Sequence, residues 1–255
     1  MKQVLYSILA PFIRWWLADT ITGKPLGASG MRLYYDKGQH LGFLFHKRIH
    51  YEQEVLSKVL SLVKEGDLVF EIGSNIGQYA LLLSEKIGTS GKLVCIEPDS
   101  DNFSFLSFNI LKNQRQNVRL LQKAVSNKQD KATFHKDTKT GGRMGSLIKL
   151  YTGNHFEGRT EEVETITLHT LVKEYGIPDF VKVDVEGAET MIFSVPGSIM
   201  KSTKYMVEVQ KETKVQICKL FQDEGFTAMN IENEFRHVSH PDEIPDFCNL
   251  LFVCE

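Results

Sequence analysis

Several features are scarce in this sequence of 255 residues, and each absence excludes a class of protein. The 30 basic and 32 acidic residues nearly cancel, to a formal net charge of −2, so the chain lacks the basic surface of a general nucleic-acid binder. None of the four cysteines forms a CxxC pair, which argues against a zinc ribbon and favours reduced thiols. A composition of 42% hydrophobic and 24% charged residues is typical of a globular protein.

Long apolar runs are also scarce. Residues 4–17 are strongly apolar, but Pro11 and Arg14 interrupt them and the segment is too short to cross a bilayer. Only Lys2 precedes it and no small-residue cleavage site follows, so a signal peptide is not expected. We therefore expect a cytoplasmic protein.

The apolar residues near the N-terminus recur at helical spacing. They predict a helix with one apolar stripe, formed by Leu5, Ile8, Leu9, Phe12 and Trp16. Such a helix packs on the main domain or on a second subunit, as in a homodimer. The alternative is a peripheral membrane helix with Arg14, Trp15 and Trp16 at the headgroup level, which the small number of cationic residues disfavours.

The stretch DLVFEIGSNIG, residues 67–77, organises the rest of the chain. Its first half is almost continuously apolar, as in a strand buried on both faces of a parallel sheet. Gly73 and Gly77 let the backbone approach a ligand closely and, with Asn75, tolerate a positive φ. The helix that follows directs its free N–H groups into the same crevice. This pattern predicts a site for a nucleotide-like cofactor with an anionic end.

Strand and helix patterns alternate over most of residues 67–231, which predicts an α/β fold with a doubly wound, mostly parallel sheet. The last two strands, at 226–231 and 250–254, have no helical pattern between them and predict a C-terminal antiparallel hairpin. We assign residues 51–255 to this domain. Residues 1–50 form an N-terminal extension with the apolar helix and short strands.

Acidic residues end three of the predicted strands. Glu71, Glu97 and the pair Asp184 and Glu186 all fall at the carboxyl edge of the sheet, where such folds bind ligands. A carboxylate at the end of the strand after a glycine-rich loop can accept hydrogen bonds from both ribose hydroxyls, and Glu97 has this position. The alternative for Glu97 is a charge that stabilises the start of the next helix.

The glycine pattern separates two classes of nucleotide-like cofactor. A nicotinamide dinucleotide favours G-x-G-x-x-G, whereas this chain has Asn75 at the second glycine position and no third glycine. A nicotinamide-dependent oxidoreductase is therefore the disfavoured alternative. The pattern Glu-x-Gly-x-Asn-x-Gly instead resembles the glycine loop of Rossmann-like methyltransferases.

Five segments between residues 51 and 209 resemble, in the right order, the FkbM-type family of S-adenosylmethionine-dependent methyltransferases. They are VFEIGSNIGQYALLLSE, LVCIEPDSDNFSFLSFNI, VRLLQKAVSN, LHTLV and DFVKVDVEGAE, and VKVDVEGAE is the most specific. Glu71 stands where the family more often has Asp, which leaves an acid in place. The N-terminal extension and the C-terminal hairpin carry little of the resemblance.

The resemblance implies S-adenosylmethionine as the cofactor and methylation of a hydroxyl, often on a sugar or other small molecule. By position, it implies that the methionine half and the adenosine are surrounded by Glu71, Gly73, Ser74, Asn75 and Gly77. Glu97 would bind the ribose, and Ala124 and Val125 would lie near the adenine. Glu52 would reach the methionine amino group, or would simply begin a helix.

A hydroxyl acceptor must lose its proton, and a positioned base typically accelerates such a step by ~10²–10⁴-fold. Strand alternation places Lys182, Asp184 and Glu186 on one side of the strand. We expect Asp184 to face the cofactor and acceptor, with Glu186 as a supporting acid or alternative base, or as a cap of the next helix. Lys182 is expected to pair with a strand-end carboxylate. No further metal ligand has convincing spacing, so we expect no metal.

The irregular insert at 136–160 is rich in basic residues and glycine. A loop of this length is typically functional or disordered. It is either a solvated flexible loop or a lid over an anionic acceptor, such as a phosphorylated or uronic sugar. In the second case Arg143 and Lys149 would be its binding charges. A non-catalytic binding protein on the same scaffold is a third possibility for the whole chain, which the presence of Asp184 and Glu186 disfavours.

Overall fold

The computed structural model describes residues 20–27, 29–40, 53–137, 142–149 and 158–254. The predicted N-terminal helix, Glu52 and parts of the insert lie outside these ranges. No helix within the described ranges is long and apolar enough to cross a membrane.

Helices and strands alternate along the chain as the sequence predicts. The helices are α1 (Gln53–Leu62), α2 (Gln78–Lys86), α3 (Ser100–Lys112), α4 (Leu168–Tyr175), α5 (Glu189–Phe193) and α6 (Lys214–Asp223). The strands are β1 (Ile21–Pro25), β2 (Arg32–Asp36), β3 (Leu68–Ile72), β4 (Lys92–Ile96), β5 (Val118–Leu121), β6 (Ala124–Val125), β7 (Lys131–His135), β8 (Thr160–Ile166), β9 (Phe180–Val183), β10 (Lys204–Gln210), β11 (Phe226–Asn230), β12 (Arg236–His237) and β13 (Phe247–Cys254).

The central sheet has eight strands, in the order β12-β11-β13-β10-β9-β3-β4-β5. The five strands from β10 to β5 are parallel, whereas β13 is antiparallel to both of its neighbours. The predicted α/β class and the antiparallel pairing of the last two long strands are therefore confirmed. The hairpin differs from the prediction in two details, because β13 inserts between β10 and β11 and because the long connection contains the short strand β12.

Apolar side chains on both faces of the parallel strands explain the double winding. Val181 and Val183 of β9 pack in a cluster with α4, α5 and α6, whereas Phe180 packs in a cluster with α1, α2 and α3. Each face of the sheet is thus covered by three helices, as expected for strands that are apolar on both sides. These helices leave the carboxyl ends of the strands accessible, where the sequence predicts the ligand site.

Two side-chain amides of α3, those of Asn109 and Asn113, join the β1–β2 hairpin to the domain. Asn109 of α3 accepts a hydrogen bond from the Tyr34 N–H (2.7 Å) and donates to the carbonyl oxygens of Tyr34 (2.9 Å) and Ile76 (2.8 Å). Leu33 and Tyr35 are fully buried in the same cluster as α1, α2 and α3. Asn109 therefore joins the hairpin, α3 and the loop that carries the predicted cofactor site.

Candidate active site

A cavity of about 320 Å³ opens at the carboxyl ends of β3, β4, β9 and β10. The predicted site residues that line it are Glu71, Gly73, Ser74, Asn75, Glu97, Ala124, Val125, Asp184 and Glu186. Gly77 does not line the cavity, and Glu52 lies outside the described residues. A Cβ atom on Gly77 would lie 2.8 Å from Leu106 Cδ1, so this glycine allows α2 to pack against α3.

The loop after β3 depends on glycine at one position. Gly73 has a φ of 86°, and a Cβ atom there would lie 1.8 Å from the carbonyl oxygen of Asp184. The N–H groups of Gly73 and Ser74 both donate to the carbonyl oxygen of Ile96, at 2.9 and 3.2 Å. The ends of β3, β4 and β9 therefore converge around a residue with no side chain.

Glu97 is held by the backbone on both of its oxygens. Its Oε2 accepts from the Asn75 N–H (2.8 Å), and its Oε1 accepts from the Asp99 N–H (3.0 Å). Burial raises the pKa of Glu97 to about 8. The alternative role at the helix start belongs to Asp99, which accepts from the N–H groups of Asp101 and Asn102 and caps α3. A carboxylate has about four lone-pair sites, so Glu97 keeps acceptor capacity for a ribose hydroxyl beside these backbone donors.

A buried ammonium group lies at the centre of the site. Lys182 of β9 is the register partner of Glu71 on β3, and its Nζ donates to Asp184 Oδ2 at 2.8 Å. The same Nζ lies 4.7 Å from the ring centre of Tyr79. The expected pairing of Lys182 with a strand-end carboxylate is confirmed. Burial raises the pKa of Glu71 to about 7, although the charge of Lys182 opposes this rise.

A third carboxylate joins the two that the sequence places on β9. Oxygens of Asp184, Glu186 and Glu208 lie within 4.8 Å of one another. Glu208 is on β10, two residues beyond Met206, which is the register partner of Lys182. Glu208 is not among the residues predicted from the sequence. Its position in the apolar strand KYMVEVQ could have indicated a functional role, because a buried acid requires a partner.

Glu186 accepts a hydrogen bond from a neighbouring strand and does not cap a helix. Gln210 of β10 donates through its Nε2 to Glu186 Oε2 at 2.5 Å. The Gly187 N–H before α5 instead donates to Glu189 Oε1 at 2.9 Å. Burial, and then the negative charge of Asp184, raise the pKa of Glu186 to about 8.

The charges of this site favour a cationic ligand that also carries a ribose. Glu71, Asp184, Glu186 and Glu208 line the cavity around the buried ammonium of Lys182. The other cations of the lining lie outside this group, since Lys123 is paired with Glu164 (2.9 Å) and Arg143 is exposed. The sulfonium and amino groups of S-adenosylmethionine would supply the missing positive charge, and Glu97 is held where it can accept from ribose hydroxyls. The residues present therefore fit the cofactor that the resemblance implies.

A segment of the insert, residues 142–149, lies across the cavity. The Gly142 carbonyl oxygen accepts from Asn75 Nδ2 (3.2 Å) and Asn102 Nδ2 (2.9 Å). Ser146 donates through its hydroxyl to the Glu186 carbonyl oxygen (2.7 Å). The segment is thus joined to both the cofactor loop and the β9 edge, and Arg143, Met144 and Leu147 from it line the cavity.

The basic residues of the insert have different surroundings. Lys136 is mostly buried and its Nζ lies 2.8 Å from Asp101, 3.3 Å from Asp99 and 3.3 Å from Glu161, so it stabilises the start of α3. Arg143 is exposed at the cavity. Lys149 is exposed and is not among the cavity-lining residues.

Comparison with known proteins identifies the family. A family model described as the methyltransferase FkbM domain matches residues 71–239. Over 200 residues the chain is 26% identical to the hexuronic acid methyltransferase AglP of Haloferax volcanii, a match that covers 72% of this chain and 78% of the relative.

Solved structures of methyltransferases are also among the matches. A SAM-dependent O-methyltransferase from Thermotoga maritima is 15% identical, with 89% of this chain and 76% of that chain covered and a TM-score of 0.47. Fibrillarin from Aeropyrum pernix, with natively bound S-adenosyl-L-methionine, is 14% identical. The match covers 78% of this chain and 72% of that chain, with a TM-score of 0.47. Since the family match spans most of the sequence, the chain belongs to the FkbM family of S-adenosylmethionine-dependent methyltransferases.

Proposed function

We propose that this protein methylates a hydroxyl group of a sugar that carries a carboxylate, such as a hexuronic acid. The observation that carries the proposal is the position of Asp184, which is partly exposed at the cavity, beside the cofactor loop, with its Oδ2 held by Lys182. The relative AglP is described as a hexuronic acid methyltransferase, which supports the acceptor class.

Asp184 is suited to accept the proton of an acceptor hydroxyl. S-adenosylmethionine, when bound, supplies the methyl group, and its sulfonium is already a good methyl donor. The protein must align the hydroxyl behind that methyl group, and it must remove the hydroxyl proton. The Lys182 ammonium occupies Asp184 Oδ2, and Oδ1 makes no hydrogen bond within the described part of the chain. Oδ1 is therefore available for the acceptor proton.

The charges around the reaction centre favour a hydroxyl over a carboxylate as the methylated group. Asp184, Glu186 and Glu208 lie close together there, and the negative charge of this cluster repels an anionic group. A hexuronate is therefore expected to turn its carboxylate away from these acids and toward Arg143 at the cavity rim. This orientation presents ring hydroxyls, not the carboxylate, to Asp184.

Arg143→Gln is expected to raise the KM for a methyl glucopyranosiduronate by about fivefold to tenfold, because it removes a charge-assisted contact to the acceptor carboxylate. The kcat should change little, and the KM for the neutral methyl glucopyranoside should not change. Steady-state kinetics with both acceptors measure this difference.

Lys149→Gln is the matched control, since Lys149 is exposed on the same segment but does not line the cavity. It should leave both KM values within about twofold of the wild type. Equal effects of the two substitutions, or an equal effect of Arg143→Gln on both acceptors, would contradict the assigned role of Arg143.

Methyl transfer is expected to survive removal of divalent metal ions. The three clustered carboxylates have a geometry that could hold a cation, but the Lys182 ammonium already lies 2.8 Å from one of them. Turnover should therefore be the same after dialysis against EDTA as with added Mg²⁺. A large loss of turnover that Mg²⁺ restores would show instead that a metal completes the site.

The proposed acceptor class is tested by a screen with S-adenosylmethionine labelled in its methyl group. We expect transfer to a methyl glucopyranosiduronate at a higher kcat/KM than to the neutral glucopyranoside, and weaker transfer to the open-chain acid gluconate. Transfer only to acceptors without a sugar ring would refute the proposal.

A further inference from the structure

Phe247 is an exposed aromatic residue at the cavity. Five large hydrophobic side chains are exposed among the described residues, namely Ile21, Leu111, Ile177, Val215 and Phe247. Phe247, at 53% exposure, is the aromatic member of this set and the member that lines the cavity. Aromatic side chains are typical of the lining of ligand-binding pockets.

The sheet register places Phe247 on the same face as the acidic cluster. Phe247 is the first residue of β13 and pairs with Gln210 of β10. Residues directly opposite each other in an antiparallel pair lie on one face, and Gln210 is two residues beyond Glu208. Gln210 also donates to Glu186 at 2.5 Å. Glu186, Gln210 and Phe247 thus follow one another along the same edge and face of the sheet.

Phe247 lies on the side of Asp184 that is away from the cofactor loop. The loop follows β3 and Glu97 follows β4, whereas β13 is three strands from β3 in the sheet order. At about 4.8 Å per strand, this separation is about 14 Å. Asp184, at the end of β9, lies between the two. A molecule that contacts Phe247 and presents a hydroxyl to Asp184 is therefore the acceptor and not the cofactor.

The backbone on both sides of Phe247 is anchored. Lys214 Nζ donates to the carbonyl oxygen of Ile244 (2.7 Å) and to Asp246 Oδ1 (3.1 Å). From Phe247 onward, the backbone is paired with β10. The backbone that carries the ring is therefore held by the protein itself, and a ligand that covers the ring gains the favourable burial of apolar surface without ordering this backbone.

We propose that Phe247 is the platform on which the pyranose ring of the acceptor stacks, an inference that rests on the proposed sugar methylation. The face of an aromatic ring carries negative charge density and attracts the weakly positive C–H bonds that cover one face of a pyranose. The ring edge, with its hydroxyls, then points along the sheet toward Asp184. Phe247 thereby selects a sugar ring over an open-chain polyol.

Phe247→Ala is expected to raise the KM for a methyl glucopyranosiduronate by about tenfold, whereas Phe247→Tyr, which keeps the ring, should stay within about twofold of the wild type. Phe247→Leu, which keeps an apolar side chain but no ring, should resemble Phe247→Ala. The affinity for S-adenosylhomocysteine, measured by calorimetry, should be unchanged in all three variants. Val215→Ala is the control, because Val215 is also 53% exposed but does not line the cavity.

The activity of the wild-type enzyme shows whether a negative result contradicts the proposed function or only the role of Phe247. If it methylates no pyranoside, the proposed function and this inference fail together. If it methylates the pyranosiduronate and Phe247→Ala keeps the wild-type KM, only the platform is refuted. A loss of S-adenosylhomocysteine affinity in Phe247→Ala would also refute it, since Phe247 would then belong to the cofactor site.

Discussion

Asp184→Asn should lower kcat by about 10²–10⁴-fold, because an amide cannot accept the acceptor's proton. The change keeps the size of the side chain, and the amide oxygen can still accept from Lys182 Nζ, which lies 2.8 Å from Asp184 Oδ2 in the wild type. The cofactor site should therefore persist. Turnover with labelled S-adenosylmethionine and the Kd for S-adenosylhomocysteine measure the two effects separately.

Glu186→Gln provides the comparison, since Glu186 is the alternative base. With a pKa of about 8, the Glu186 carboxyl is mostly protonated at neutral pH, and it already accepts a hydrogen bond from Gln210. Its replacement should reduce kcat by less than about tenfold. Full activity of Asp184→Asn, or a larger loss in Glu186→Gln, would mean that Asp184 is not the base.

Gly73→Ala should both destabilise the fold and weaken cofactor binding. A Cβ atom at Gly73 would lie 1.8 Å from the carbonyl oxygen of Asp184, so the ends of β3 and β9 would have to separate. Backbone strain at positive φ costs about 1–2 kcal/mol, and overpacking adds about 1–3 kcal/mol. We expect a loss of about 3 kcal/mol or more in the free energy of unfolding, measured by urea denaturation.

Gly197→Ala is the matched control, and the difference in stability between the two variants measures the steric part of the Gly73→Ala effect. Gly197 also has a positive φ, 76°, but nothing lies within 4 Å of a Cβ atom built there. Its substitution should cost only the backbone strain, about 1–2 kcal/mol. S-adenosylhomocysteine should bind Gly197→Ala normally and Gly73→Ala weakly. Equal losses of stability in the two variants would show that β3 and β9 need not approach so closely.

The sequence predicts the central part of the fold because apolar runs and strand alternation are local signals. Lys182, Asp184 and Glu186 follow from alternation along one strand, and Glu71 and Glu97 follow from the rule that parallel strands end at one edge. The predicted strand at 180–185 ends early, at Val183, since Glu186 turns the chain with a φ of 52°.

Long-range register explains what the sequence could not predict. Glu208 joins the cluster only because Met206 pairs with Lys182 across two strands that are separated in sequence. The last strand begins three residues earlier than its apolar pattern indicates, at Phe247, because the polar Asn249 finds a partner in the turn that follows β11. Its Nδ2 donates to Glu232 Oε1 at 2.8 Å. The local apolar pattern therefore predicts neither that Phe247 begins the last strand nor that it lies beside the site.

The chemical identity of the methylated group tests the central claim, hydroxyl methylation with Asp184 as the base, most directly. The wild-type enzyme is incubated with a methyl glucopyranosiduronate and with S-adenosylmethionine that carries ¹³C in its methyl group. The product is examined by NMR before and after treatment with mild alkali. We predict a ¹³C methyl ether on a ring oxygen that alkali does not remove, and no such product with Asp184→Asn. An alkali-labile methyl ester on the carboxylate, or no transfer to the sugar, would contradict the claim.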